Sequence, residues 1–99
     1  MFFFRNKSKL SGEQKKLLDS YMTALKKDPG DGLTHFRVAE LHDMDGRAED
    51  AVNAYAESVR CHLRAGFAKK AAGCVKAALK AHPDAKALLE IEYPTFFKK

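Results

Sequence analysis

Apolar residues recur every three or four positions along most of this chain, the spacing of one face of an α-helix. Leu17, Leu18, Tyr21, Met22 and Leu25 form the first such stripe. Ser11-Gly12-Glu13-Gln14 precedes it with an N-cap serine and a glutamine three residues on, the pattern of a capping box. Lys26 and Lys27 suit the negative end of a helix, and Asp28-Pro29-Gly30-Asp31 stops it. A first helix is therefore predicted to end near Lys27. A second is predicted from about Gly32 to Met44, with Leu33, Phe36, Val38 or Ala39, and Leu41 facing inward. Asp45-Gly46 is the turn, with Gly46 as a left-handed cap. The third helix, about Arg47 to Ala65, turns Ala48, Ala51, Val52, Tyr55, Val59 and Leu63 inward, and Gly66 ends it. The fourth, from Phe67 to about Ala81, buries Phe67, Ala71, Ala72, Val75, Ala78 and Leu79. His82-Pro83-Asp84 breaks the chain, and Asp84 caps a short fifth helix through Leu88, Leu89 and Ile91 that ends at Tyr93-Pro94.

No run alternates in the manner of a β-strand, and the three prolines all fall between the helices. The pattern predicts an all-α fold of about five helices, arranged as antiparallel helical hairpins joined by short turns. Residues 1–10 read as a basic and aromatic arm, residues 11–92 as the helical domain and residues 93–99 as a tail.

Two stretches of the domain repeat one another. Gly46 stands five residues before Ala51, with Tyr55 four further on; Gly66 stands five before Ala71, with Val75 four further on. Alanine at that place is what two closely approaching helices require. These residues resemble the tetratricopeptide repeats, helical pairs of about 34 residues that stack into a solenoid. Gly46, Ala51 and Tyr55 match the middle of one repeat, with Val38 and Ala39 at its early positions. Gly66, Ala71, Ala78 and Pro83 match the second half of another, with Val75 in place of the aromatic. Tyr21, Ala24 and Pro29 look like the second helix of a preceding repeat that lacks its first. The resemblance covers about residues 12–90. It departs from the family in three ways: the two glycines are only 20 residues apart, the third helix fills two roles, and His35 stands where an aromatic is expected. A generic helical bundle is the alternative.

The resemblance implies a short α-solenoid whose groove holds a peptide or a partner helix. The groove residues it implies are Phe36, Glu40, Asp43 and Met44 on the second helix, and Asn53, Ala56, Arg60 and Arg64 on the third. A clamp for a terminal carboxylate is not supported, because Phe36 and Glu40 stand where its basic residues would be. An apolar floor with charges of both signs suits a partner helix of like pattern. Phe36 and Met44 also fit a plain core role.

Composition narrows the classes. Ninety-nine residues fit one domain, and 45% hydrophobic with 31% charged residues excludes wholesale disorder. No apolar run approaches the roughly 20 residues that span a bilayer. Met1-Phe2-Phe3-Phe4 is too short for a signal-peptide core, so a cytoplasmic protein is expected. The net charge of +5 is segregated: residues 1–29 hold seven Lys/Arg against three acids, 30–58 two against seven, and 59–99 nine against three. Part of this is internal complementarity, which makes the net charge weak ground for a polyanion partner.

The remaining chemistry is sparse. Cys61 and Cys74 read as reduced, buried thiols, with a disulfide across the hairpin at Gly66 as the lesser reading. His35, His42, His62 and His82 are scattered, and no phosphate loop or nucleophile elbow is present. No enzyme, metal or cofactor is expected. Lys69, Lys70, Lys76, Lys80 and Lys86 read as a solvated face, and nucleic acid is not expected: the would-be recognition helix begins Arg47-Ala48-Glu49-Asp50, whose acids repel phosphate. Phe2, Phe3 and Phe4 need cover. They fold back on the first helix, enter a partner or a second protomer, or meet an anionic membrane through Arg5, Lys7 and Lys9; Phe96-Phe97-Lys98-Lys99 repeats the theme. The expectation is a non-catalytic protein-binding adaptor. A basic module on nucleic acid or membrane, and a self-associating structural protein, are the alternatives.

Overall fold

The computed structural model describes residues 8–97. Among them the chain forms five α-helices and no strand: α1 (Gly12–Lys27), α2 (Gly32–Met44), α3 (Ala48–Arg64), α4 (Ala68–Ala81) and α5 (Lys86–Glu92). Single 3-10 turns, Pro83–Ala85 and Pro94–Phe97, flank α5. The all-α architecture expected from the spacing is what the chain adopts. None of the helices is long and apolar enough to cross a membrane.

Local chemistry sets the ends. Ser11 Oγ accepts from the Gln14 backbone at 3.1 Å while Gln14 Oε1 accepts from the Ser11 N–H at 2.9 Å, completing the capping box. Asp31 caps α2, accepting from the Thr34 N–H at 3.2 Å and the Thr34 hydroxyl at 2.8 Å. The turns after α2 and α3 are near copies. Gly46 has φ 75° and Gly66 φ 86°. Arg47 N–H donates to His42 O at 2.9 Å and Phe67 N–H to His62 O at 2.8 Å. Both turns are Schellman closures, and in each the residue after glycine starts the next helix without a side-chain cap.

The main packing runs between sequence neighbours, α1 on α2, α2 on α3, α3 on α4, with α5 closing the far end. The result is a thin slab of 47 × 30 × 17 Å. The core is built mostly of small residues: Ala39, Ala51, Ala71 and Ala78 are wholly buried, with Val38, Tyr55, Val59, Val75 and Leu89 around them. Helix α3, packed on both sides, contributes Ala51, Ala54, Tyr55, Ala56, Ser58, Val59 and Cys61. In contrast α1 buries none of its residues fully; Leu18, Tyr21 and Leu25 are half-covered, and Leu17 and Met22 face outward.

Several expected core residues lie elsewhere. Leu33 is 55% exposed although Gly32 beside it is buried against α3: one position further round the helix, its side chain leaves that contact face. Phe67 is 50% exposed because the Schellman turn throws it outward, where the Lys70 ammonium sits 4.6 Å above its ring. Leu63 lies exposed in the last turn of α3, and Ala48 is exposed at its first. Cys61 and Cys74 are buried free thiols, so no disulfide crosses the hairpin.

Both flanks are tied to the domain. Leu10 is buried, and Asp45 Oδ1 accepts from the Lys9 N–H at 2.7 Å and the Ser8 hydroxyl at 2.9 Å, while Arg47 Nε donates to Oδ2 at 3.0 Å. These donors, the Lys9 N–H foremost, hold the Asp45 carboxyl below the usual aspartate range. At the other end Tyr93 Oη donates to Ala56 O at 3.3 Å, and Phe96 and Phe97 pack against the core.

Two glycines should respond oppositely to alanine. Gly66 has open space for a Cβ but a left-handed backbone, so Gly66→Ala should cost about 1 kcal/mol in urea denaturation. Gly73, inside α4 and equally open, has no such need; Gly73→Ala should add roughly 0.5–1 kcal/mol. The arm anchor makes a second prediction. A carboxyl whose folded pKa is depressed stabilises the fold above its unfolded pKa and loses that contribution as pH falls through the folded value. The stability gap between the native chain and Asp45→Asn should therefore be full near neutrality and close below about pH 4.

Candidate functional site

Helices α2 and α4 both pack on α3 and leave an open cleft of about 290 Å³ between them. Leu33 and Phe36 of α2, His62 of α3, and Lys70, Gly73 and Cys74 of α4 line it. Phe36 is fixed edge-on against Tyr55, ring centroids 5.5 Å apart at 66°. Beneath the cleft, Ser58 Oγ donates to Gly32 O at 2.7 Å and lies 3.2 Å from Cys74 Sγ. This wholly buried hydroxyl joins the start of α2 to α3 and α4. The start of α2 sits close on α3, since a Cβ on Gly32 would meet the His62 ring at 2.8 Å.

The electrostatics of the cleft are simple. Burial pushes the Cys74 thiol up, which keeps it protonated and uncharged. Burial first, and Lys70 second, pull His62 below its usual value, so it is neutral at physiological pH. Lys70 is left as the charge on an otherwise apolar lining. A neighbouring hollow, lined by Gly66, Phe67, Ala68, Lys69 and Lys70, continues the surface past the exposed Phe67 ring.

The residues that the repeat resemblance gathers into one groove are spread over several places. Phe36 is in the cleft. Glu40 and Met44 line a separate groove between α1 and α2 with Leu17, Tyr21, Arg37 and Leu41. There Glu40 pairs with Arg37 at 3.0 Å and the Met44 sulfur accepts from Gln14 Nε2 at 3.4 Å. Asp43 points into the fold, where it accepts from Tyr55 Oη at 3.1 Å and meets His82 Nε2 at 2.5 Å, tying α2 to α3 and to the end of α4. Burial, then the Asp43 charge, holds the Tyr55 phenol well above its usual pKa, so it stays the donor. Ala56 is buried beneath Tyr93. Asn53 and Arg64 are exposed, and Arg60 is paired with Glu57 along α3. Phe2, Phe3 and Phe4 lie outside the described residues; Phe96 and Phe97 are half-buried on the core.

Sequence reasoning missed Leu33, His62, Lys70, Gly73 and Cys74 as a set: it put Leu33 in the core, His62 in a scatter of histidines, Lys70 on a solvated face and Cys74 among buried thiols, and gave Gly73 no role. One clue was available: Gly73 interrupts a helix made mostly of alanine and lysine, and an isolated helical glycine marks a packing or functional need. Among the described residues no three His, Cys, Asp or Glu side chains are grouped to hold a metal ion. Neither protein-family models, nor curated proteins, nor solved structures give a match to this chain.

The Asp43 junction should prove structural. Asp43→Ala strands the Tyr55 hydroxyl and should cost about 2 kcal/mol in urea denaturation, whereas Asp43→Asn, which keeps an acceptor, should cost less.

Proposed function

We propose that this chain is a small non-catalytic adaptor of the tetratricopeptide type, which binds a peptide or helix of another protein in the cleft between α2 and α4. The observation that carries this reading is the cleft itself: an open hollow with Leu33 exposed at its mouth, the Phe36 ring in its wall, and a fixed polar frame beneath it. Such a site suits insertion of an apolar anchor. The near-identical turns at Gly46 and Gly66, and packing mainly between neighbours, support a repeat-type scaffold. The buried free thiols suit a reducing, cytoplasmic setting.

The test is affinity capture from nuclease-treated lysate with a salt ramp, run beside Leu33→Glu. That substitution puts a charge at the mouth of the cleft on a side chain the core does not use. The native chain should retain one or a few proteins past moderate salt, and Leu33→Glu should lose them. Equal retention by both chains, or release of everything at low salt, would remove the cleft from the account and leave the basic flanks as the functional surface.

A further inference from the structure

We infer that the partner segment is acidic: an amphipathic helix whose apolar anchor seats on Gly73 and whose carboxylates lie along Lys70 and Lys69. The inference rests on the cleft being a docking site, and adds what the site selects.

The first support is Gly73. Among the described residues a Cβ there would meet nothing within 4 Å, so none of them requires its absence. A glycine inside a helix weakens it, and this one lies in the cleft lining, where it opens the α4 backbone to close approach. The second support is charge. Helix α4 carries Lys69, Lys70, Lys76 and Lys80 and no acid. The twin turns make an internal comparison. Twenty residues earlier, the places of Lys69 and Lys70 are held by Glu49 and Asp50, acids that suit the positive start of a helix. Arg47 and Phe67, which precede them, share nearly the same backbone, with φ −100° and ψ 76° against φ −101° and ψ 69°. On one backbone geometry, then, α3 carries the charges its start favours and α4 carries the opposite ones.

No carboxylate of the cleft answers those lysines. Asp31, the acid nearest His62 in effect, is already the cap of α2, and His62 is neutral. Lys70 stands over Phe67, so one ammonium borders both the cleft and the adjoining hollow. A segment lying across them would meet an apolar floor at Leu33, Phe36 and Gly73 and cations at Lys70 and Lys69. At about 290 Å³ and open, the cleft takes an inserted side chain rather than an enclosed small molecule. Apolar anchors flanked by carboxylates fit both halves of that surface.

The test is display selection on the full chain with random peptides of about 16 residues, long enough to form a helix. Enriched peptides are then titrated by fluorescence anisotropy. The expected binders are net negative with apolar residues at helical spacing. Gly73→Gln should weaken them at least about tenfold by filling the floor, and Lys70→Glu about tenfold by reversing the charge. Neither variant should melt below the native chain, since one removes a helical glycine and the other puts an acid at a helix start. Lysine-substituted versions of the same peptides should recover binding to Lys70→Glu. Neutral or basic binders, or binders indifferent to Gly73→Gln, would overturn the acidic-helix inference while leaving a docking site. A library with no binder would overturn both. Capture on phosphatidylserine vesicles that Lys70→Glu abolishes and Gly73→Gln spares would assign the lysines to a lipid surface and refute the inference.

Discussion

The close approach of α3 to its neighbours is the constraint on which everything else depends. Wholly buried alanines carry it on three helices: Ala39 on α2, Ala51 on α3, Ala71 and Ala78 on α4. Backbones that meet over alanine leave little apolar area per residue, so the core gains from intimacy of packing instead of bulk. Among the described residues Leu89 is the largest side chain that is wholly buried. Such a core has little tolerance for an added methylene, and it needs polar joints with full partners. Ser58 and Asp43 supply these, one at each end of α3's contact with α2: Ser58 against the first residue of α2, Asp43 in its last turn. Each also reaches α4 or its end, so three helices are pinned in register by two side chains.

Nearest-neighbour packing also fixes where the open surfaces fall. A helix with partners on two sides, such as α3, uses up its apolar positions. A helix at the edge, such as α1, cannot, and its Leu17 and Met22 stay outside. The cleft arises from the same geometry, because α2 and α4 both rest on α3 without filling the space between them. The tightness that stabilises this small domain thus creates the hollow that we read as its binding site.

How far the sequence discloses this follows from the physics. Helix ends were legible because their chemistry is local: the Ser11–Gln14 box, the Asp28–Asp31 stop and the two turn glycines each act within about one turn, whereas the capping of α2 by Asp31 emerged only from the structure. Helical class was legible from spacing alone. What spacing cannot show is how many neighbours a helix has. A single stripe was read for α3, while burial on two sides also takes in Ala54, Ala56 and Ser58, and a serine gives no hydrophobic signal. Leu33 and Phe67 have the residue type of a core and lie beyond its edge. The candidate site was hidden for the same reason, since its lining comes from three helices and is made of residues unremarkable on each.

The conflict between local helix physics and this sequence is concentrated at one place. Most of the chain is locally consistent: acids start α3, lysines end α1, and glycine sits where the backbone is left-handed. The first turn and a half of α4 breaks the pattern twice, with Lys69 and Lys70 at a positive helix start and Gly73 where alanine fits without contact. Sequences that specify one fold depart from local preference chiefly where function asks for it. Both departures bear on the cleft and the hollow that adjoins it, and the twin turn at Gly46 shows that the backbone does not demand them. A binding role for that surface accounts for both with one cause: the glycine admits a partner and the lysines choose its charge.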